Sequence, residues 1–350
     1  MSDFRIDKIT NRVGDAGTQI CGVTTFSGTS GMQLPSGSTE YRGGRGRGVF
    51  MGGVTPSVVN TMDYIEIATT GNALDFGDLG ALKRQSGGMA SSTRGLSTGG
   101  GPSPALTSRI DYVTMSSQGG ASDFGDLMVA KAYMANANSS TRGLIMGAWS
   151  PKTADIEYVT FATTGDASDF IGILTLPRQV EGTVSSPTRG LAGGGETMAP
   201  FTQTGESPIW SVDAIDYVTI ASRGVNAQHF GELTEPSWGI LAGSNSVRGI
   251  WAGGNPSRRP SAIMDYVTIA TLGNAIDFGD QSVGRSYGGN AFSQTRGCFG
   301  GGTQNPVTPA ILDVIDYVTI ATTGNATDIA NLTVARSGNS GCSDSNGGLG

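Results

Sequence analysis

The chain has 350 residues, 56 of them glycine, and only 15% are charged. Its net charge of −7 lacks the basic footprint that phosphate-backbone binding needs, which excludes nucleic acid as the main partner. No apolar run reaches the ~18 residues of a membrane-spanning helix, so no membrane insertion is expected.

Residues 1–43 stand apart from the rest. They do not open with a basic stretch followed by an apolar one, so no Sec leader is expected. Residues 4–10 and 20–26 read as short strands whose apolar members are Phe4, Ile6, Ile9, Ile20, Val23 and Phe26. Six such side chains are too few for a core, so this segment is expected to be an extended N-terminal arm that something else covers.

From residue 44 the chain repeats itself. Tyr64, Tyr112, Tyr158, Tyr217, Tyr266 and Tyr317 recur at steps of 48, 46, 59, 49 and 51 residues, a period that marks a stacked or radial repeat. Each unit reads as four short strands. An Arg-Gly strand closing on glycines starts at Arg47, Arg94, Arg142, Arg189, Arg248 and Arg296. A Pro/Ser/Thr loop, an Asp-Tyr strand, a Gly-Asn turn and an Asp-Phe strand follow. A further strand then leads into the next unit. Abundant glycine at fixed places between β-branched runs predicts turns, not a flexible linker.

The ends carry a second argument. The first unit lacks the strand that precedes its Arg-Gly strand, and residues 336–346 supply such a strand with no Arg-Gly strand after it. A ring that pairs 336–346 beside 47–53 removes both open edges. The expectation is an all-β, six-bladed β-propeller over 44–350.

Few residues promise chemistry. His229 is the single histidine, so neither a histidine triad nor a histidine-rich copper site can be built. Cys21, Cys298 and Cys342 have no CxxC spacing and read as buried thiols, not as a disulfide framework or zinc site. Asp63, Asp111, Asp216, Asp265 and Asp316 recur at one repeat position, which signals architecture, because a catalytic site needs one copy. The repeated arginines are expected to be tied to those aspartates, with at least four of the six contacting an acidic side chain or a backbone carbonyl within the domain; the competing reading is a ring that grips anionic glycans. No catalytic residue, cofactor or metal is assigned. Units differ most in the fourth and fifth, where the loop of 196–211 and the segment 251–260 bring Phe201, Trp210, Trp251, Arg258 and Arg259. Aromatic and arginine side chains on adjacent loops are contact residues of interfaces, so these five are the candidate binding set for a partner or glycan.

A strand ending in Gly-Gly, a variable loop, a Tyr strand and a last strand running into Arg resembles the kelch repeat. Arg84, Arg178, Arg285 and Arg336 match that last Arg, while Lys131 and Ser237 depart from it. Phe76, Phe124, Phe170, Phe230 and Phe278, with Ile329 in the last unit, stand where kelch repeats carry Trp. The wording of residues 316–326, and of 20–28 and 33–37 in the arm, also resembles repeat proteins of marine bacteriophages that infect cyanobacteria. That resemblance implies a virion structural protein present in multiple copies. Its arm would anchor to other virion proteins, and its propeller would be displayed for binding, with host-surface glycan as one ligand class. The alternative is a propeller enzyme acting on surface polysaccharide through carboxylates from different blades.

Overall fold

The computed structural model describes residues 46–349, apart from 103–104, 150–151, 181, 202–208, 257–258 and 305–309; of 198–201 and 209–210 it describes the backbone alone. The predicted arm, with Phe4, Ile6, Ile9, Ile20, Val23 and Phe26, lies outside the described residues.

Six four-stranded antiparallel sheets surround one axis as a six-bladed β-propeller. From the axis outward, blade 2 runs Gly87–Ala90, Arg94–Thr98, Arg109–Thr114, Ser122–Asp126, and the other blades repeat it. Blade 1 takes its innermost strand, Ser340–Ser343, from the far end of the sequence. That strand lies antiparallel to the strand Arg47–Thr55, pairing Gly48 with Ser343 and Met51 with Ser340. The ring thus closes as its ends predict.

Apolar residues of facing blades form six separate cores, one in each gap. Between blades 5 and 6, Leu241, Ile250, Met264 and Phe278 pack on Phe292, Phe299, Val318 and Ile320. The repeated Tyr and Phe explain each other: Tyr266 meets Phe278 edge to face at 5.9 Å, and Tyr64, Tyr112, Tyr158 and Tyr217 meet their own Phe likewise. Burying one such Phe stabilises by about 1.5–3 kcal/mol.

Trp251 belongs to these cores and not to the surface. It is 2% exposed, and its Nε1–H donates to the Gly182 carbonyl of blade 4 at 3.1 Å. Gly182 and Gly193 make the room: a Cβ on either would sit 2.7 or 2.6 Å from the indole. The expectation that Trp251 is a binding residue is therefore corrected.

The repeated arginines contact backbone carbonyls within the domain, as expected, but, among the described residues, not the repeated aspartates. Each guanidinium lies over the tyrosine of its own blade, 4.3–5.0 Å from the ring centroid, from Arg47 on Tyr64 to Arg296 on Tyr317. Each then donates to a backbone carbonyl of the next blade: Arg94 to Phe161 at 2.7 Å, Arg248 to Ile320 at 2.8 Å, and Arg296 round to Ala68 at 3.1 Å. Among the described residues, Arg47 alone of the six also meets a carboxylate, Glu66, at 2.9 Å. The aspartates are already taken. Asp63, Asp216 and Asp316 are fully buried and pair with Arg336, Arg178 and Arg285 at 2.8, 3.2 and 2.6 Å. In blade 2 the partner of Asp111 is Lys83, not Arg84, at 3.0 Å, and in blade 3 Lys131 meets Glu157 at 2.6 Å. Burial depresses the Lys83 pKa, and Asp111 opposes the shift.

The Gly-Asn segment is less a tight turn than an inter-blade dock. Gly119, Gly165, Gly224, Gly273 and Gly324 each donate N–H to the Phe carbonyl of the preceding blade's outer strand at 2.7–3.0 Å.

Candidate functional site at the channel mouth

Antiparallel order fixes which segments share a face. Innermost strands start at one end of the axis, so second strands finish there, and the loops between second and third strands gather round that mouth. The repeat varies most in these loops. Blade 4 inserts a small extra sheet there, in which Glu196–Phe201 pairs with Arg178–Gln179 and with Ile209–Ser211. Phe201 and Trp210 thus fall on strands of this sheet, their side chains outside the described residues. Arg258 also lies outside the described residues, and Arg259 is exposed.

The mouth is built from the position two residues after the buried cation of each blade, or after Ser237, which stands in that place in blade 5. In sequence order it holds Gln85, Tyr133, Val180, Gly239, Tyr287 and Gly338. Their backbones hand a hydrogen bond from blade to blade. Val180 donates to Tyr133 at 3.3 Å, Tyr133 to Gln85 at 3.0 Å and Gln85 to Gly338 at 2.7 Å; Gly338 then donates to Tyr287 at 2.6 Å and Tyr287 to Gly239 at 2.9 Å. All of these positions except Val180 have a left-handed backbone. Gly239 and Gly338 accept it without penalty, but Gln85, Tyr133 and Tyr287 hold it at φ 47°, 57° and 58°. Side-chain-bearing residues in that region cost of order 1–3 kcal/mol each and collect at functional sites.

Tyr133 and Tyr287 come from opposite blades, 3 and 6, and meet edge to face across the axis with centroids 6.1 Å apart. Trp238, on the linker into blade 5, adds a second edge-to-face contact with Tyr287 at 5.6 Å. All three are half-buried. Beneath them lies a channel cavity of about 100 Å³ lined by amides and hydroxyls, among them Asn136, Asn138, Asn290, Thr183 and Ser244. The Oδ1 of Asn136 is buried there without a hydrogen-bond partner. The C-terminal segment covers the far end. Asn346 donates to the Ala90 carbonyl at 3.0 Å and accepts from Asn138 at 3.0 Å, and the short helix Gly347–Leu349 lies against the innermost strands of blades 3, 4 and 5.

A scan against family models finds no match, and a search of curated proteins finds none either. The architecture is assigned on geometry alone.

Further out on the same face, Trp149 is 37% exposed. The Lys152 ammonium sits 3.8 Å from its ring centroid and donates to the Thr197 carbonyl of the blade 4 insertion at 2.7 Å. Burial lowers the Lys152 pKa, with Glu196 opposing. Cys298 and Cys342 are buried thiols pushed up to about 12, which makes them unreactive at neutral pH. His229 is exposed on the outer strand of blade 4, away from the mouth.

The sequence reading placed the binding set on loops and missed Tyr133, Tyr287 and Trp238. A signal existed. Counted from the buried cation, Tyr133 follows Lys131 by the spacing at which Tyr287 follows Arg285. Aligning Arg84 instead of Lys83 with Arg178, Arg285 and Arg336 hides that register.

Proposed function

We propose that the protein is a bacteriophage virion structural protein whose kelch-like propeller is displayed for binding, with residues 1–43 as the arm that joins other virion proteins. The observation that supports a binding role is the mouth. Three aromatic side chains from three blades converge over a cavity lined by uncharged amides and hydroxyls. Aromatic faces with convergent neutral donors and acceptors suit an uncharged sugar of a host-surface glycan. The repeated aspartates Asp63, Asp216 and Asp316, by contrast, are buried and already paired with cations of their own blades. The particle assignment rests on the wording of the repeat and of the arm.

The test uses the full chain and its Trp238→Ala and Tyr287→Ala variants against host-envelope polysaccharide in a binding assay. Binding that falls at least tenfold in both variants supports the mouth as the site; unchanged binding moves it elsewhere. Sugar released from the polysaccharide by the wild-type protein overturns the binding role in favour of the enzyme. For the arm, a 44–350 fragment that still joins the particle overturns the anchor.

A further inference from the structure

Among the described residues, five blades carry a buried cation beside the repeated acid, and blade 5 does not. The site can be superposed by register. In blade 2 the Lys83 ammonium donates to the carbonyls of Ser97, at 3.1 Å, and Arg109, at 2.8 Å, besides meeting Asp111. In blade 6 Arg285 reaches the carbonyls of Phe299 and Val314 and the carboxylate of Asp316. In blade 1 Arg336 reaches Phe50, Thr61 and Asp63. The rule is constant: one carboxylate, the carbonyl of the residue paired across from it on the second strand, and the carbonyl two residues before it on the third.

In blade 5 those acceptors are Asp265, Trp251 and Ile263, with Trp251 in register with Asp265. The position of the cation is taken by Ser237, whose side chain ends far short of them. Its Oγ sits 3.5 Å from the Gly253 carbonyl. A small cavity remains, lined by Ser237, Trp251, Ile263, Asp265 and a second carboxylate, Glu235. Asp265 is 5% exposed, and its hydrogen bonds come from the Thr234 amide and hydroxyl at 2.8 Å, the counterparts of Thr175 on Asp216 and Ser282 on Asp316. Everything that receives a cation in the sister blades is kept, and the cation is missing. The one charged neighbour that acts on Asp265 is another carboxylate, Asp277, and burial and that neighbour both raise its pKa.

We infer that the blade 5 cavity between Ser237 and Asp265 binds a small monovalent cation of ammonium or potassium size, in the place that the Lys83 ammonium fills in blade 2. The oxygen donors, a carboxylate and two carbonyls, are those a hard monovalent ion or an N–H cation takes, and the room is that of about one water-sized group. The ion would lock blade 5 to the linker from blade 4, the linker that carries Trp238 to the mouth.

The experiment measures thermal unfolding of the full chain in ammonium, potassium or tetramethylammonium chloride at equal ionic strength. Tetramethylammonium is too large for the cavity. Wild type is expected to melt roughly 2 °C higher in ammonium or potassium at about ten times Kd than in tetramethylammonium. Ser237→Arg, which rebuilds the sister blades' pair, should lose that difference, as should Asp265→Asn, which keeps the shape and the Thr234 bonds. In crystals soaked with thallium(I), an anomalous peak beside the Asp265 carboxylate is expected in wild type and not in Ser237→Arg. Equal melting of wild type in all three salts overturns the proposal, as does a cation effect that survives in Asp265→Asn. Should Ser237→Arg fail to fold, Asp265→Asn and the thallium map still decide.

Discussion

Blades 5 and 6 share their strand register and a buried acid, Asp265 or Asp316, but among the described residues only blade 6 sets a cation beside it. Both pair their four strands in the same register and both clasp the next blade through an arginine, although blade 5 seats Tyr266 on Phe278 where blade 6 has Tyr317 with Ile329. Yet Asp316 sits 2.6 Å from Arg285 while Asp265 has Ser237 in place of a guanidinium. A blade therefore forms without the pair. Apolar packing and the strand ladder specify the sheet, and the cation answers the local problem of a buried carboxylate. Having kept the acid and lost the cation, blade 5 must solve that problem by other means.

The largest expected effect breaks blade 6. Arg285→Ala leaves Asp316 buried without its partner and should lower stability by about 3–5 kcal/mol in urea unfolding. A loss under about 1 kcal/mol would mean that the pairs are inert and that blade 5 is not exceptional. Trp251→Ala comes next: emptying the indole site between Gly182, Gly193 and Ile240 should cost about 3 kcal/mol, since blade 5 relies on packing. Arg248→Ala and Arg296→Ala should each cost about 1 kcal/mol and should match, because the clasp is the same in both blades. A clear difference between them would place the asymmetry outside the Asp265 site.

The smallest effect is a matter of pH. Burial raises the Asp265 pKa above 3.8, so the folded state holds this proton more tightly than the unfolded chain. Stability from this group is full below that pH and declines as pH rises through the folded value. In tetramethylammonium chloride, where the cavity stays unfilled, Asp265→Asn should therefore gain on wild type between pH 4 and pH 7, within about 1 kcal/mol, read as the difference in urea midpoints. A gap that shrinks over that range would contradict the assignment.

The period, the four strands per unit and the closing strand were legible because they follow from alternation and from turn residues, which are local. Trp251 was not. Its burial depends on Gly182 and Gly193 in another blade, and nothing near Trp251 in the chain announces them. The acceptors in the clasps were not legible for a related reason: those of Arg94 and Arg248 are backbone carbonyls, which every residue carries, so no side-chain pattern marks which ones are used. Tyr133 and Tyr287 escaped because their place at the mouth goes with a left-handed backbone, which bulky residues rarely adopt and which no local pattern announces.

The strand Ser340–Ser343 has a further consequence for biosynthesis. Gly48 leaves the ribosome long before Ser343, its ladder partner. Throughout that interval the edge of Arg47–Thr55 faces solvent unpaired while five blades fold beside it. Nascent chains on one message are close neighbours, and each offers the same open edge and, later, the same closing strand. A strand donated to the wrong chain links two rings into an open series instead of closing one. The long separation also slows the final step, since loop closure over nearly the whole chain precedes its reward. Yield of the closed monomer should thus depend on how densely ribosomes load the message, a dependence that a ring closed by adjacent strands would lack.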